Sequence, residues 1–125
     1  MASKQEIEQY WNLIKQSDFN ENCPIKNALE VIGGKWKLNI LGHLLRKEVM
    51  RFNELKREIS GITNTMLTNS LRELENDQLI IRNQYNEMPL RVEYALTDKG
   101  KGLLPLLYEL TTWWDDYIKH QEVQE

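Results

Sequence analysis

FNELKREISGITNTMLTNSLRELENDQL, residues 52–79, is the stretch that decides how the rest of the chain is read. Phe52, Leu55 and Ile59 recur at helical spacing and share one face of a short helix. Ser60-Gly61-Ile62 reads as a turn, with Gly supplying the backbone freedom a tight reversal needs. A second helix follows, with Met66 (and Leu67 beside it), Leu71 and Leu74 on its buried side. Its other side carries Thr63, Asn64, Thr65, Thr68, Asn69 and Arg72, short hydrogen-bonding side chains and no acid. Asn pairs bidentately with adenine, Arg meets guanine or a phosphate, and Thr offers a methyl to thymine and a hydroxyl to phosphate. That face suits a DNA major groove, so residues 52–77 read as a helix-turn-helix. Asn53 on the first helix joins the candidate contacts. Ser60 and Thr63 do so at the turn, where a hydroxyl caps a helix and also meets the DNA backbone. For Thr63, capping alone is an equal reading.

Downstream, Leu79 to Tyr85 alternates apolar and polar residues, Asn86-Glu87-Met88-Pro89-Leu90 is a loop, and Arg91 to Leu96 alternates again. Two such runs joined by about five residues make a β-hairpin. Directly behind a recognition helix, the hairpin over 79–96 is a wing, with Asn86 and Arg91 near its tip as candidate DNA contacts. Upstream, Pro24 suits the first turn of a short helix ending at Gly33-Gly34, with Ala28, Leu29 and Ile32 inward. A further helix runs from Lys35 to about Arg46 and buries Trp36, Ile40, Leu41 and Leu44. Lys35 and Lys37 at its start oppose the helix dipole, which makes phosphate contact a reason for their placement beside simple solvation. Glu48 to Arg51 is a short extended link.

The two ends of the chain carry apolar stripes. Residues 3–17 read as a helix opened by a Ser3/Glu6 capping box, with Ile7, Tyr10, Trp11 and Ile14 in one row. Asp18 to Asn22 is a polar linker. Thr97 caps a last helix over 98–120, made irregular at first by Gly100, Gly102 and Pro105. It carries Leu107, Leu110, Trp113, Trp114 and Tyr117, more apolar surface than a small domain can bury on one face. Together the two ends predict a homodimer interface, with one of Trp113 and Trp114 turned into the protomer's own core.

The length of 125 residues fits a single domain over 1–125, mainly α with a small β-hairpin (α+β). No apolar leader or long uncharged run is visible, which predicts a soluble, cytoplasmic protein with no membrane partner. The net charge of −3 hides a strong asymmetry. Residues 1–34 carry 3 basic and 5 acidic residues, 35–72 carry 8 and 3, and 73–125 carry 5 and 11. The helix-turn-helix therefore lies in a basic island of net +5 within an acidic chain, the footprint expected for contact with phosphates. No catalytic constellation is present: His43 and His120 have no ligand spacing to each other or to Cys23, so neither an enzyme, a cofactor nor a metal is expected. Cys23, the lone cysteine, reads either as a small buried hydrophobe or as a candidate redox sensor, since a thiol at a helix start can be reactive.

One order of motifs then stands out: Cys23-Pro24; Ile32-Gly33-Gly34-Lys35-Trp36; Arg51-Phe52-Asn53-Glu54-Leu55; Ile59-Ser60-Gly61-Ile62; Leu71-Arg72-Glu73-Leu74-Glu75; and Arg91-Val92-Glu93-Tyr94, Leu96-Thr97 and Gly100. Over about residues 23–117 it resembles the HxlR-type winged helix-turn-helix regulators, relatives of the MarR family. The resemblance implies a homodimeric transcription factor on a pseudo-palindromic operator of double-stranded DNA. It also implies a switch, through a cysteine matching Cys23 in some members or through a small-molecule effector. Gln78 departs from the family's pattern, in which a glycine commonly closes the recognition helix. The competing reading is a winged-helix protein-interaction module that does not bind DNA, and the basic island argues against it.

Overall fold

In chain order the computed structural model contains α1 (Lys4–Gln16), α2 (Pro24–Ile32), α3 (Lys35–Lys47), β1 (Val49–Met50), α4 (Phe52–Glu58), α5 (Asn64–Asn76), β2 (Ile80–Tyr85), β3 (Arg91–Leu96), α6 (Asp98–Lys101) and α7 (Leu104–Gln124). It describes residues 2–18 and 23–124. The expected linker over 18–22 lies, apart from Asp18, outside the described residues. The chain divides into two units, residues 1–34 and 35–125.

In the first unit α1 opens as its sequence dictates. The Ser3 hydroxyl accepts from the Glu6 N–H at 3.1 Å, and the Glu6 carboxylate accepts from the Ser3 N–H at 3.3 Å, so two helix-end donors are satisfied reciprocally. The row Ile7, Tyr10, Trp11 is exposed and Ile14 is half-buried. In α2, Pro24 occupies the first turn behind Cys23. The expected inward row is corrected: Ile32 is buried, but Ala28 is exposed and so is Leu29, at 56%. Two short helices offer too little partner surface to cover a complete stripe.

The second unit is built on the packing of α3, α4 and α5 against a three-stranded antiparallel sheet of order β1-β3-β2. Its core is Ile40, Leu41 and Leu44 from α3, Leu55 and Ile59 around α4, Leu67, Leu71 and Leu74 from α5, and Met50, Ile80, Tyr94 and Leu96 from the sheet. The hairpin has the expected five-residue loop, with Ile80 opposite Leu96 and Tyr85 opposite Arg91. The extended link before α4 becomes a third strand, where Val49 and Met50 face Ala95 and Tyr94. Trp36 is half-buried rather than enclosed. At the tight turn Gly61 has φ +83, and a Cβ there would meet only the Trp36 ring at 4.0 Å. Backbone conformation rather than space is therefore what asks for Gly at that position.

Gln78, the departure noted above, takes φ +63. It sits where a glycine normally ends a helix, with its N–H on the Glu75 carbonyl at 2.9 Å and the Leu79 N–H on the Leu74 carbonyl at 3.0 Å. Both bonds of a glycine-type cap thus form around a glutamine. The left-handed backbone costs roughly 1–2 kcal/mol, which the buried Leu74 and Leu79 offset, and β2 still begins at Ile80.

The single last helix expected over 98–120 is two. The Thr97 hydroxyl caps α6, accepting from the Gly100 N–H at 3.0 Å and donating to the Gln78 carbonyl at 2.6 Å. Gly100 lies so close to the chain just before β2 that an added Cβ would collide with the Leu79 carbonyl oxygen. The chain bends at Gly102 and restarts as α7. From Leu104 to Gln121 only Leu107 is half-buried, and every other side chain is exposed. Neither tryptophan enters the protomer's core, which corrects the expectation for one of them: Trp113 is 63% and Trp114 52% exposed. Both stack on Tyr117, with centroids 5.7 and 5.4 Å away. Among the described residues no helix is long and apolar enough to cross a membrane.

Candidate nucleic-acid interface

Thr63 sets the start of α5. Its hydroxyl oxygen accepts from the Met66 N–H at 3.1 Å, so capping is a role it performs in the fold. From that start, burial falls on Leu67, Ser70, Leu71 and Leu74, an i, i+3, i+4, i+7 row. Met66 was expected in that row and is instead 44% exposed. It stands one position, or about 100°, away from Leu67. Asn64, Thr65, Thr68, Asn69 and Arg72 are all exposed, and the first turn of α5 holds no acid. Ser60 in the turn and Asn53 on α4 are exposed as well. The helix thus offers a polar, acid-poor ridge with an apolar back anchored in the core.

Ion pairs sort the cations around this ridge. Lys37 reaches across from α3 to Glu73 of α5 at 2.9 Å, with 17% of its side chain exposed. It ties the recognition helix to α3 and does not present its charge as Lys35 does. Lys35 is exposed, with its ammonium 4.7 Å from the Trp36 ring centre. Lys47 and Arg46 pair with Glu58 at 2.7 and 3.5 Å. The hydrogen bond and charge of Lys47 hold the Glu58 carboxyl below the ordinary carboxylate range, with Arg46 and His43 helping less. That clamp between α3 and α4 is complete above the carboxylate's ordinary pKa and is lost as acid protonates it. Its exposure makes the contribution small.

At the wing, Arg91 is occupied by its neighbours. It pairs with Glu87 at 3.1 Å and Glu93 at 3.6 Å, and its guanidinium carbon lies 4.2 Å from the Tyr85 ring centre. Two carboxylates against this one guanidinium leave no free positive charge at the Arg91 end of the wing. Asn86 in the loop is exposed. The structure therefore exposes Asn64, Thr65, Thr68, Asn69 and Arg72 along the α5 ridge, Ser60 and Thr63 at the turn before it, and Asn53 on α4. It turns the charges of Lys37 and Arg91 inward on the protein.

Sequence reasoning passed over one cation, Arg82. Ile80, Arg82 and Gln84 alternate onto one face of β2, and Ile80 marks that face as the core side. Arg82 stands opposite Tyr94 in the sheet register. It lines a cleft of about 260 Å³ together with Phe52, Thr68, Arg72, Glu75 and Tyr94. The alternation was visible in the sequence, but the helix facing it was not.

Cys23 precedes α2 and is buried, 8% exposed. Among the described residues no group of three His, Cys, Asp or Glu side chains is placed to hold a metal.

The family model described as HxlR-like helix-turn-helix matches residues 31–122. An HTH-type transcriptional regulator of Methanothermobacter thermautotrophicus, described as uncharacterized, is 48% identical over 100 residues, covering 80% of this chain and 76% of that protein. Among solved structures, the redox regulator HypR in its reduced form is similar with a TM-score of 0.71 and 39% identity, covering 81% of this chain and 99% of that one. The reduced transcriptional regulator YodB from Bacillus subtilis gives a TM-score of 0.67 at 33% identity, covering 76% and 93%.

Proposed function

This chain belongs to the HxlR-like helix-turn-helix family, and on that premise we propose that it is a DNA-binding transcriptional regulator that acts as a homodimer on a pseudo-palindromic operator. The observation that carries the reading is the exposed ridge of α5. Asn64, Thr65, Thr68, Asn69 and Arg72 face solvent while the opposite side of the same helix is held in the core. The side-chain chemistry of that ridge matches base edges and phosphates. The basic balance of residues 35–72 supplies the attraction.

The homodimer rests on the apolar ends. The exposed side chains of α7 and the exposed row of α1 are large and aromatic, a composition typical of the buried centre of an interface. A second copy of the same chain, covering the same stripes, buries them symmetrically. The two recognition helices of the pair are then set about 34 Å apart, to meet successive major grooves.

A thiol switch at Cys23 is part of the proposal. Cys23 stands at the start of α2, and the similar protein HypR is a redox regulator solved in both reduced and oxidised forms. Burial means that an oxidant reaches the sulfur through a local opening of its surroundings. Cys23→Ser is expected to abolish any change in DNA affinity caused by diamide; a response that survives in this variant removes the switch from the account. The regulator reading itself is tested by binding to the DNA upstream of the chain's own gene as salt is varied. Tight binding at low salt that weakens steeply with added salt is expected. A chain that binds no DNA at low salt is a protein-interaction module instead.

A further inference from the structure

Four cations of the second unit are committed to carboxylates: Lys37, Arg46, Lys47 and Arg91. Among the described residues no ion pair includes Arg72 or Arg82. These two come from different elements, the recognition helix and the first strand of the wing, yet they line one cleft. Thr68, a turn before Arg72 on the exposed ridge, lines it too, while Phe52 and Tyr94 form its apolar floor. Glu75 is also on the wall. Two guanidinium groups against one carboxylate leave the cleft net positive. The Arg82 guanidinium is steadied by a hydrogen bond from its Nη1 to the Gln84 side-chain oxygen at 3.1 Å, which leaves its other donors available.

We propose that this cleft seats one backbone phosphate of bound DNA between Arg82, Arg72 and the Thr68 hydroxyl. The inference rests on the DNA-binding reading above and adds a residue and a site to it. Guanidinium groups match a phosphodiester with paired, charge-assisted hydrogen bonds. A hydroxyl on the exposed face of a recognition helix is a further donor to the same oxygens. Tyr94 in the floor is buried, Phe52 is half-buried, and the strand is fixed by its register with β3, so the seat is held in place. A phosphate held there sets the depth and angle at which α5 enters the groove. Arg82 is thereby a positioning residue that carries no base preference of its own.

The test is the salt dependence of affinity for two duplexes, the upstream DNA and a random sequence, with Arg82→Gln and Arg82→Lys beside the parent. In Arg82→Gln the slope of log affinity against log salt is expected to become shallower by about 0.9 for each bound copy. Affinity is expected to fall roughly tenfold per copy, equally on both duplexes. Arg82→Lys keeps the charge and loses the fork, so it is expected to keep the slope while weakening binding. It also decides the matter if the glutamine variant does not fold. A parent that binds DNA with a steep slope, and an Arg82→Gln variant that matches it in slope and affinity, overturns the phosphate seat and leaves the regulator reading standing. Loss of affinity on the upstream DNA alone overturns it as well, because it assigns Arg82 to the bases. A parent that binds neither duplex at low salt overturns both.

Discussion

Alanine at Leu67 is expected to destabilise the protein by about 3 kcal/mol, and alanine at the adjacent Met66 by less than about 0.5 kcal/mol. Leu67 is fully buried, whereas Met66 is 44% exposed. Leu67 lies in the row that α5 packs on α3 and β2. Truncating it removes apolar contact and leaves a cavity that a well-packed core fills only in part. For a domain of this size the loss corresponds to a fall in melting temperature of roughly 10 °C. Chemical and thermal denaturation of the two variants measure the difference. The comparison matters for function because the two residues are neighbours. If Met66 proved the costly site, α5 would be rotated by one position. The ridge of Asn64, Thr65, Thr68, Asn69 and Arg72 would then turn with it by about 100°.

Glutamate at Trp113 is expected to give a folded protomer that no longer pairs. Trp113 is 63% exposed and stacks on Tyr117 of its own helix, so the change costs the protomer little. In the proposed homodimer it places a charge inside an apolar contact, where desolvation makes it expensive. Sedimentation is expected to report the mass of one chain, with an unchanged helical circular dichroism spectrum. Affinity for the upstream DNA is expected to fall at least about a hundredfold, since each half then binds without the help of the other. A variant that remains dimeric and binds as the parent does removes α7 from the interface.

What the sequence made legible was local. Ser3 and Thr63 announce helix starts because a capping hydroxyl and the N–H it accepts from lie three residues apart. The wing was readable from alternation and a five-residue loop. The helix-turn-helix was readable because Gly61 separates two short apolar rows. The phase of α5 was not, since Met66 and Leu67 are both apolar and only the packed core chooses between them. The pairing of Lys37 with Glu73 joins residues far apart in the chain, and no local pattern encodes it. Arg91 looked available because a hairpin tip is usually wet. Yet Glu87 and Glu93 bracket it in space as they do in sequence, a signal that charge counting at the wing would have caught. Arg82 was hidden for the opposite reason: its strand was legible, but the recognition helix across the cleft was placed there by the fold.

The physical picture joins these parts. A helix whose back is fixed in a core presents a polar ridge. A three-stranded sheet holds a wing beside it, and the exposed aromatic ends are the surfaces through which the proposed homodimer forms. The central claim is that the α5 ridge reads DNA as one of a symmetric pair. Hydroxyl-radical footprinting of the purified protein on the DNA upstream of its own gene tests that most directly. The account predicts two protected stretches of equal size, centred about 34 Å or one helical turn apart and related by two-fold symmetry, both fading as salt is raised. A single unpaired stretch, or no protection at low salt, contradicts it.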